Sequence, residues 1–127
     1  MNTADKSELE DFLRRYPDTQ MLEILMPDIN GILRCKRIQR REFDTFFSGN
    51  LKAPITTPLL GTRGDLYDGL DTGLVEGDPD QLLLPVSNTL APVTWMNSPT
   101  AQVLAGFAEL DGTPAWVDPR NVLASTV

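Results

Sequence analysis

The chain contains no histidine and a single cysteine, Cys35. Imidazole is the one side chain whose ordinary pKa lies near neutrality, and it is also the commonest metal ligand. A zinc site, a Ser/His/Asp or Cys/His nucleophilic pair and a neutral-pH proton shuttle therefore cannot be assembled from this chain alone. One cysteine excludes an internal disulfide. Long hydrophobic runs are missing too, since no segment approaches the ~20 apolar residues of a membrane-spanning helix. The opening segment MNTADKSELED carries acids and no apolar centre, unlike a secretory signal. Together these absences lead to the expectation of a cytoplasmic setting.

Basic charge is scarce as well: 11 Lys and Arg stand against 18 Asp and Glu, for a net charge of -7. Phosphate backbones need a surplus of Lys and Arg on some face, so nucleic acid is not expected as a general partner. Arg34, Lys36, Arg37, Arg40 and Arg41 nonetheless place five of the 11 basic residues in eight positions. That run reads as the wet face of a strand followed by a helix start, with an acidic protein surface or a nucleic-acid patch as the alternatives. A chain of 127 residues makes one domain with one modest hydrophobic core.

What is present is organised around Gln20 to Ile38, QMLEILMPDINGILRCKRI. Two aliphatic-rich runs, Met21 to Met26 and Ile32 to Ile38, flank Asp28-Ile29-Asn30-Gly31. The Asn-Gly step accepts positive φ in a tight reversal, so a β-hairpin is expected. Alternation puts Leu22, Ile24 and Met26 on one side of the first arm. On the second arm it sets Leu33 and Cys35 on a dry side against Arg34 and Lys36 on a wet one. Upstream, Ser7-Glu8-Leu9-Glu10 has the spacing of a capping box, Leu9, Phe12, Leu13 and Tyr16 form an apolar stripe, and Pro17 ends the helix. Downstream, Arg40 to Ser48 carries Phe43, Phe46 and Phe47 on a second apolar face and closes at Gly49. Those aromatics read as core.

From Thr57 to Asp80 the chain holds five of its nine glycines and six carboxylates, Asp65, Asp68, Asp71, Glu76, Asp78 and Asp80. A long glycine-rich acidic loop is expected, of a length that calls for support from outside the domain. A helix-loop-helix calcium pattern started at Asp65 fails, because Tyr67 and Gly69 occupy positions that need oxygen ligands. No metal ligand and no catalytic residue is assigned to this chain. Gln81 to Leu84 reads as a buried strand stopped by Pro85. Leu90 to Met96 reads as an edge or bulged strand with Val93 and Trp95 on one face, and Ala101 to Leu110 as a better strand with Val103, Ala105 and Phe107 together. Leu110-Asp111-Gly112-Thr113 supplies a second hairpin turn, returning through Ala115-Trp116-Val117. Asp118-Pro119-Arg120 then opens a helix, with a cap residue followed by proline at the first helical position. A helix start with so little behind it is a poor end for a domain, and a longer polypeptide is expected.

Taken in order over about residues 8 to 124, these signals resemble the amino-terminal β-grasp domain of glutamine synthetase-like ligases. Met26-Pro27-Asp28-Ile29-Asn30-Gly31 matches a Phe-Thr-Asp-x-x-Gly-like turn. Asp80-Gln81-Leu82-Leu83-Leu84-Pro85 is similar to a Ser-Asp-Met-x-Leu-x-Pro segment, and Asp111-Gly112-Thr113-Pro114 followed by Asp118 to Leu123 completes the set. The resemblance implies an α+β fold with a mixed sheet packed by one or two helices. Residues 1–6 would be disordered, 7–118 would form the domain, and 119–127 would begin the helix leading to a catalytic domain this chain lacks. It further implies ATP and magnesium or manganese on that absent domain, a γ-glutamyl phosphate displaced by an amine, and a ring of subunits in which the long loop closes the amine side of a neighbour's active site.

Ammonia-using members carry Phe-Asp-Gly-Ser-Ser, whose Asp helps bind ammonium. Aligned on Gly49, this chain reads Asn50-Leu51-Lys52-Ala53-Pro54-Ile55-Thr56-Thr57, so Ala53 stands where that carboxylate would be. An apolar residue cannot compensate an ammonium ion in a partly buried site. The segment looks more like γ-glutamylpolyamine synthetases, whose amine is larger. By resemblance, Asp80, Thr56 and Thr57 are the candidates for the amine loop, with Asp80 first. For Asp80 the competing reading is a solvated turn before a strand. The rival for the whole chain is a free-standing β-grasp module that binds proteins and has no catalytic role.

Overall fold

In a computed structural model, residues 3–54, 80–115 and 118–126 are described. Their order is α1 (Lys6–Arg15), β1 (Met21–Pro27), β2 (Leu33–Gln39), a 3₁₀ turn (Arg40–Glu42), α2 (Phe43–Phe47), β3 (Lys52–Pro54), β4 (Asp80–Pro85), β5 (Ala91–Val93), β6 (Thr100–Ala108) and α3 (Pro119–Thr126). The six strands form one mixed sheet in the order β2-β1-β6-β4-β3, with β5 also on β6. Only β1 and β6 pair in parallel, Leu22 opposite Ala101 and Leu25 opposite Leu104; the other named pairs are antiparallel. This is an α+β, β-grasp-like fold. No helix among the described residues is long and apolar enough to cross a membrane.

The core lies on one face of the sheet, where alternate residues of the strands meet the helices. Leu22, Ile24 and Met26 of β1, Val103, Ala105 and Phe107 of β6 and Leu83 of β4 are buried with Leu9 and Phe12 of α1 and the three phenylalanines of α2. Phe46 and Phe47 meet edge to face, ring centroids 5.1 Å apart. β6 is central, and Gly106 and Ala108 on its opposite face are buried as well.

Several sequence expectations change in detail. Asp5, not Ser7, caps α1: its Oδ1 accepts the Glu8 amide at 3.1 Å, and the Ser7 hydroxyl donates to the same oxygen at 2.7 Å. Expected disorder over 1–6 does not extend to Thr3–Lys6, since Thr3 pairs with Val86, the Ala4 amide donates to Pro85 and Ala4 is buried. Trp95 does not share the buried face of Val93 but stands 72% exposed, because β5 ends at Val93 and the chain leaves the sheet. The return from the second turn is a single bridge between Ala108 and Pro114, a residue with no amide to extend a ladder. Trp116 and Val117 lie outside the described residues.

The first hairpin is present with the opposite phase on its second arm. Cross-strand partners share a face, and the register sets Ile38 opposite Leu22, Lys36 opposite Ile24 and Arg34 opposite Met26. Arg34 and Lys36 therefore lie on the core side of this edge strand, and Leu33 and Cys35 are exposed on the other. Long basic side chains tolerate this because their stems cover apolar surface while their heads reach polar partners. The turn also differs. Asp28 and Ile32 pair through the Asp28 amide, the Gly31 amide donates to the Asp28 carbonyl at 3.0 Å, and only Gly31, at φ +77°, enters the left-handed region. This is a three-residue loop, a turn followed by a left-handed glycine, in place of a two-residue Asn-Gly reversal.

Nothing lies within 4 Å of a Cβ built on Gly31, so substitution there costs backbone conformation alone. Gly31→Val should lower the unfolding free energy in urea by about 1–2 kcal/mol, with Gly31→Asn losing clearly less. Equal losses for the two would show that sterics, and not φ, decide the position.

Candidate functional site

The rim where β3 leaves the sheet and β4 enters it is where the amine-loop candidates converge. Antiparallel pairing sets Asp80 opposite Pro54 and Gln81 opposite Ala53. Asp80 is the first residue of β4 and is exposed, so its carboxylate stands in water at the mouth of the strand pair. Thr56 and Thr57, with the carboxylates from Asp65 to Asp78, lie outside the described residues. The structure therefore describes one of the three candidates, at an exposed strand end.

Ala53 is 4% exposed and belongs to the core cluster. A carboxylate there would have to be desolvated beside Leu83, so the apolar residue fits its surroundings. Next to Asp80, the side-chain oxygen of Gln81 is buried and has no hydrogen-bond partner among the described residues. As consecutive strand residues the two point to opposite faces of the sheet, the Asp80 carboxylate into water and the Gln81 oxygen to the enclosed side of its partner Ala53. Sequence reading missed Gln81; its only signal was a polar side chain at the head of an apolar run. Among the described residues no group of three or more His, Cys, Asp or Glu is placed to hold a metal ion.

Across the sheet, at the same set of strand ends, two buried carboxylates do structural work. Asp28, 1% exposed, accepts the amides of Asn30 at 2.8 Å and Ile32 at 2.9 Å through Oδ1, and meets Arg34 through Oδ2 at 2.9 Å. Burial pushes its carboxyl up, but the two amides and the guanidinium together hold it below the usual range. Asp118, also 1% exposed, accepts the Phe107 amide at 2.7 Å and the Arg120 amide at 3.0 Å. Here burial prevails and raises the carboxyl, against the pull of those amides and of the Arg120 charge. Asn121 completes this clasp by donating to the carbonyls of Phe107 at 2.8 Å and Ala115 at 2.9 Å.

Three of the five residues of the basic run are held within the domain, two of them by carboxylates. Arg34 pairs with Asp28, Arg37 with Glu23 across the hairpin at 2.8 Å, and Arg40 donates to the carbonyls of Pro17 and Thr19. Such pairs make it a folded hairpin face more than a docking patch for anions.

Asp28 and Asp118 act oppositely on the pH dependence of stability. Asp28 has a folded pKa below its unfolded one, so its contribution is complete above the unfolded value and is lost as pH falls through the folded one. For Asp118 the folded pKa is the higher, and stability falls as pH rises through that interval. Asp28→Asn should cost roughly 1–3 kcal/mol near neutral pH, by loss of the ion pair and by setting an amide NH₂ against the Arg34 guanidinium where Oδ2 now accepts. The deficit should shrink below about pH 4 as the parent carboxylate is protonated. Urea titrations of parent and variant between acid and neutral pH check this; a pH-independent difference would contradict it.

No family model matches the chain. Among curated proteins it is 31% identical to the gamma-glutamylputrescine synthetase PuuA of Escherichia coli over 121 residues, covering 95% of this chain and 25% of that protein. It is 30% identical over 125 residues to a glutamate–isopropylamine ligase of a Pseudomonas species, covering 94% of this chain and 26% of that one. The chain thus spans about a quarter of the length of these relatives. Among solved structures, a glutamine synthase homolog superposes with a TM-score of 0.70 at 18% identity, over 86% of this chain and 26% of the other. The glutamine synthetase of Plasmodium falciparum does so with a TM-score of 0.70 at 12% identity, over 99% of this chain and 23% of the other. With likeness in sequence running through nearly all of the chain, and with a fold shared with glutamine synthetases, this chain belongs to the glutamine synthetase family, as its amino-terminal β-grasp domain.

Proposed function

We propose that the chain is the amino-terminal domain of an ATP-dependent glutamate–amine ligase, of γ-glutamylpolyamine synthetase type, working in polyamine or nitrogen metabolism in the cytoplasm. In this reading it completes the amine side of a neighbouring subunit's active site in a homo-oligomeric ring. The observation that carries it is likeness along 94–95% of the chain to two relatives whose names specify an amine larger than ammonia. Buried Ala53 supports the same choice, since a bare ammonium ion would find no compensating charge there.

Within that reading, the described residues of this domain act by binding and orientation. Asp80 offers an exposed carboxylate to the distal ammonium of a diamine. Thr56 and Thr57 are proposed to belong to the same loop surface. ATP and magnesium or manganese are assigned to the remainder of the ligase, where they would activate the glutamate carboxyl. The alternative of a free-standing interaction module drew on the basic run, and the internal pairing of Arg34, Arg37 and Arg40 weakens that support.

Residues 1–127 alone should release no phosphate from ATP in the presence of glutamate and putrescine, whereas the full-length polypeptide should turn over with putrescine or an alkylamine in preference to ammonia. Turnover by the short chain, or a clear preference for ammonia in the full-length one, would refute the proposal. In the full-length ligase Asp80→Asn should raise the amine KM by roughly fivefold, the size of one exposed charge pair of ~1 kcal/mol, with kcat and the glutamate KM little changed. An unchanged amine KM would remove Asp80 from the site.

A further inference from the structure

β2 is one border of the sheet, and no described strand lies beyond it. Which of its backbone groups face outward follows from the hydrogen bonds at its two ends. Antiparallel partners alternate between pairs that exchange backbone hydrogen bonds and pairs that do not. The Asp28 amide donates to the Ile32 carbonyl at 2.9 Å, and the Arg40 amide donates to the Gln20 carbonyl at 2.9 Å. With the register between them, these bonds make Arg34, Lys36 and Ile38 the residues joined to β1. The amides and carbonyls of Leu33, Cys35, Arg37 and Gln39 therefore point away from it. Gln39 agrees with this phase, because its amide donates to the Glu42 carboxylate at 2.9 Å. Leu33, Cys35 and Arg37 remain as three outward donor and acceptor pairs along the strand, a template for one more strand.

The side chains select what can pair there. Arg34 and Lys36 lie on the core side of the sheet, Leu33 and Cys35 on the other, and a residue directly opposite shares the face of its partner. Arg34 is balanced by Asp28 and Arg37 by Glu23. Lys36 in the middle of the edge and Arg41 just past its end have no ion pair among the described residues. A second copy pairing edge to edge would set these cations against their equivalents, and like charges across strands are destabilising. A segment with carboxylates opposite Arg34 and Lys36 and apolar residues opposite Leu33 and Cys35 meets both faces. Five of the 11 basic residues fall between 34 and 41, so this border favours an acidic segment in a chain whose net charge is -7.

We propose that the outer edge of β2 is a docking site for an extended acidic segment of another protein, which joins the sheet as an added strand. Backbone hydrogen bonds to Leu33, Cys35 and Arg37 hold the segment, and the charge of Lys36 decides which sequences are accepted. The site is on the opposite border of the sheet from β3 and β4. It is therefore separate from the rim that carries Asp80, and it does not depend on the ligase reading.

The probe is the peptide acetyl-Val-Glu-Val-Glu-Val-amide, whose alternation is the same in either strand direction. Titrated into the isotope-labelled chain and followed by NMR, it should slow hydrogen exchange at the Leu33, Cys35 and Arg37 amides about tenfold at saturation. Exchange at Arg34, Lys36 and Ile38, already bonded to β1, should change little. The same peptide with lysine for glutamate should bind about tenfold more weakly, and Lys36→Glu should weaken the acidic peptide about fivefold. Cys35→Pro removes the central outward donor at a position where an edge strand tolerates proline, and it should abolish binding, whereas Cys35→Ser should preserve it. N-methylation of the peptide's central valine removes the matching bond with the protein unchanged, and should abolish binding too. Equal affinity for the acidic and basic peptides, or binding that survives N-methylation, would overturn the proposal. So would slowed exchange of the three amides in the full-length polypeptide before peptide is added, since the edge would then be covered from within. Self-association of the chain in sedimentation that Cys35→Pro dissolves would also overturn it, since the occupant would then be a second copy.

Discussion

A central strand has two edges, and every amide and carbonyl along both must find a partner. β6 meets this demand unevenly. On one edge β5 and then β4 accompany it from Thr100 to Ala108, while on the other β1 stays in register only as far as Leu104. Beyond that point the Phe107 amide and carbonyl would face the protein interior with no strand beside them, at roughly 1–3 kcal/mol for each unpaired group. Asp118, Ala115 and Asn121 take the place of the missing strand. The position of α3, the path of the chain after the second turn and the shape of that end of the sheet all depend on this substitution.

The two buried carboxylates solve related problems in different surroundings. Asp28 replaces backbone pairing within a turn and has a guanidinium to balance it, so it remains ionised readily. Asp118 replaces backbone pairing across a strand edge with amides and a more distant charge, and burial dominates. Each spends a polar side chain to shape a loop whose apolar residues then point outward. Stability and surface are thereby coupled: the groups that hold the sheet end together also arrange Ile29, Leu33, Leu110 and the exposed face of α3. The β3 and β4 rim lies at this same set of strand ends, because β4 runs antiparallel to β6 with Leu82 opposite Ala108.

Family membership accounts for much of this arrangement. A fold shared with glutamine synthetases supplies the sheet, and the likeness to two amine ligases extends over nearly the whole chain. What distinguishes this member is local. Ala53 is buried where a charge would be poorly solvated, and Gln81 brings an unpaired oxygen to the head of an otherwise apolar strand.

Much of the architecture was legible in the residues themselves. The apolar stripe of α1, the alternation of Leu22, Ile24 and Met26, the aromatic face of α2, the left-handed glycines and the proline after Asp118 are local signals, fixed by the periods of helix and strand and by the φ each residue accepts. They were sufficient for an α+β domain and, in their order, for its family. The facing of Arg34 and Lys36 toward the core was not legible, because alternation defines two faces without saying which one a partner strand will cover; the pairing of Ile38 with Leu22 decided it. Nor were the roles of Asp118 and Asn121, which look like a routine helix cap until β1 is seen to end short of Phe107. Local sequence sets what each segment can be, because propensity and periodicity act within a few residues. Which polar groups are left without partners depends on where strands from distant parts of the chain begin and end, and only tertiary structure contains that information.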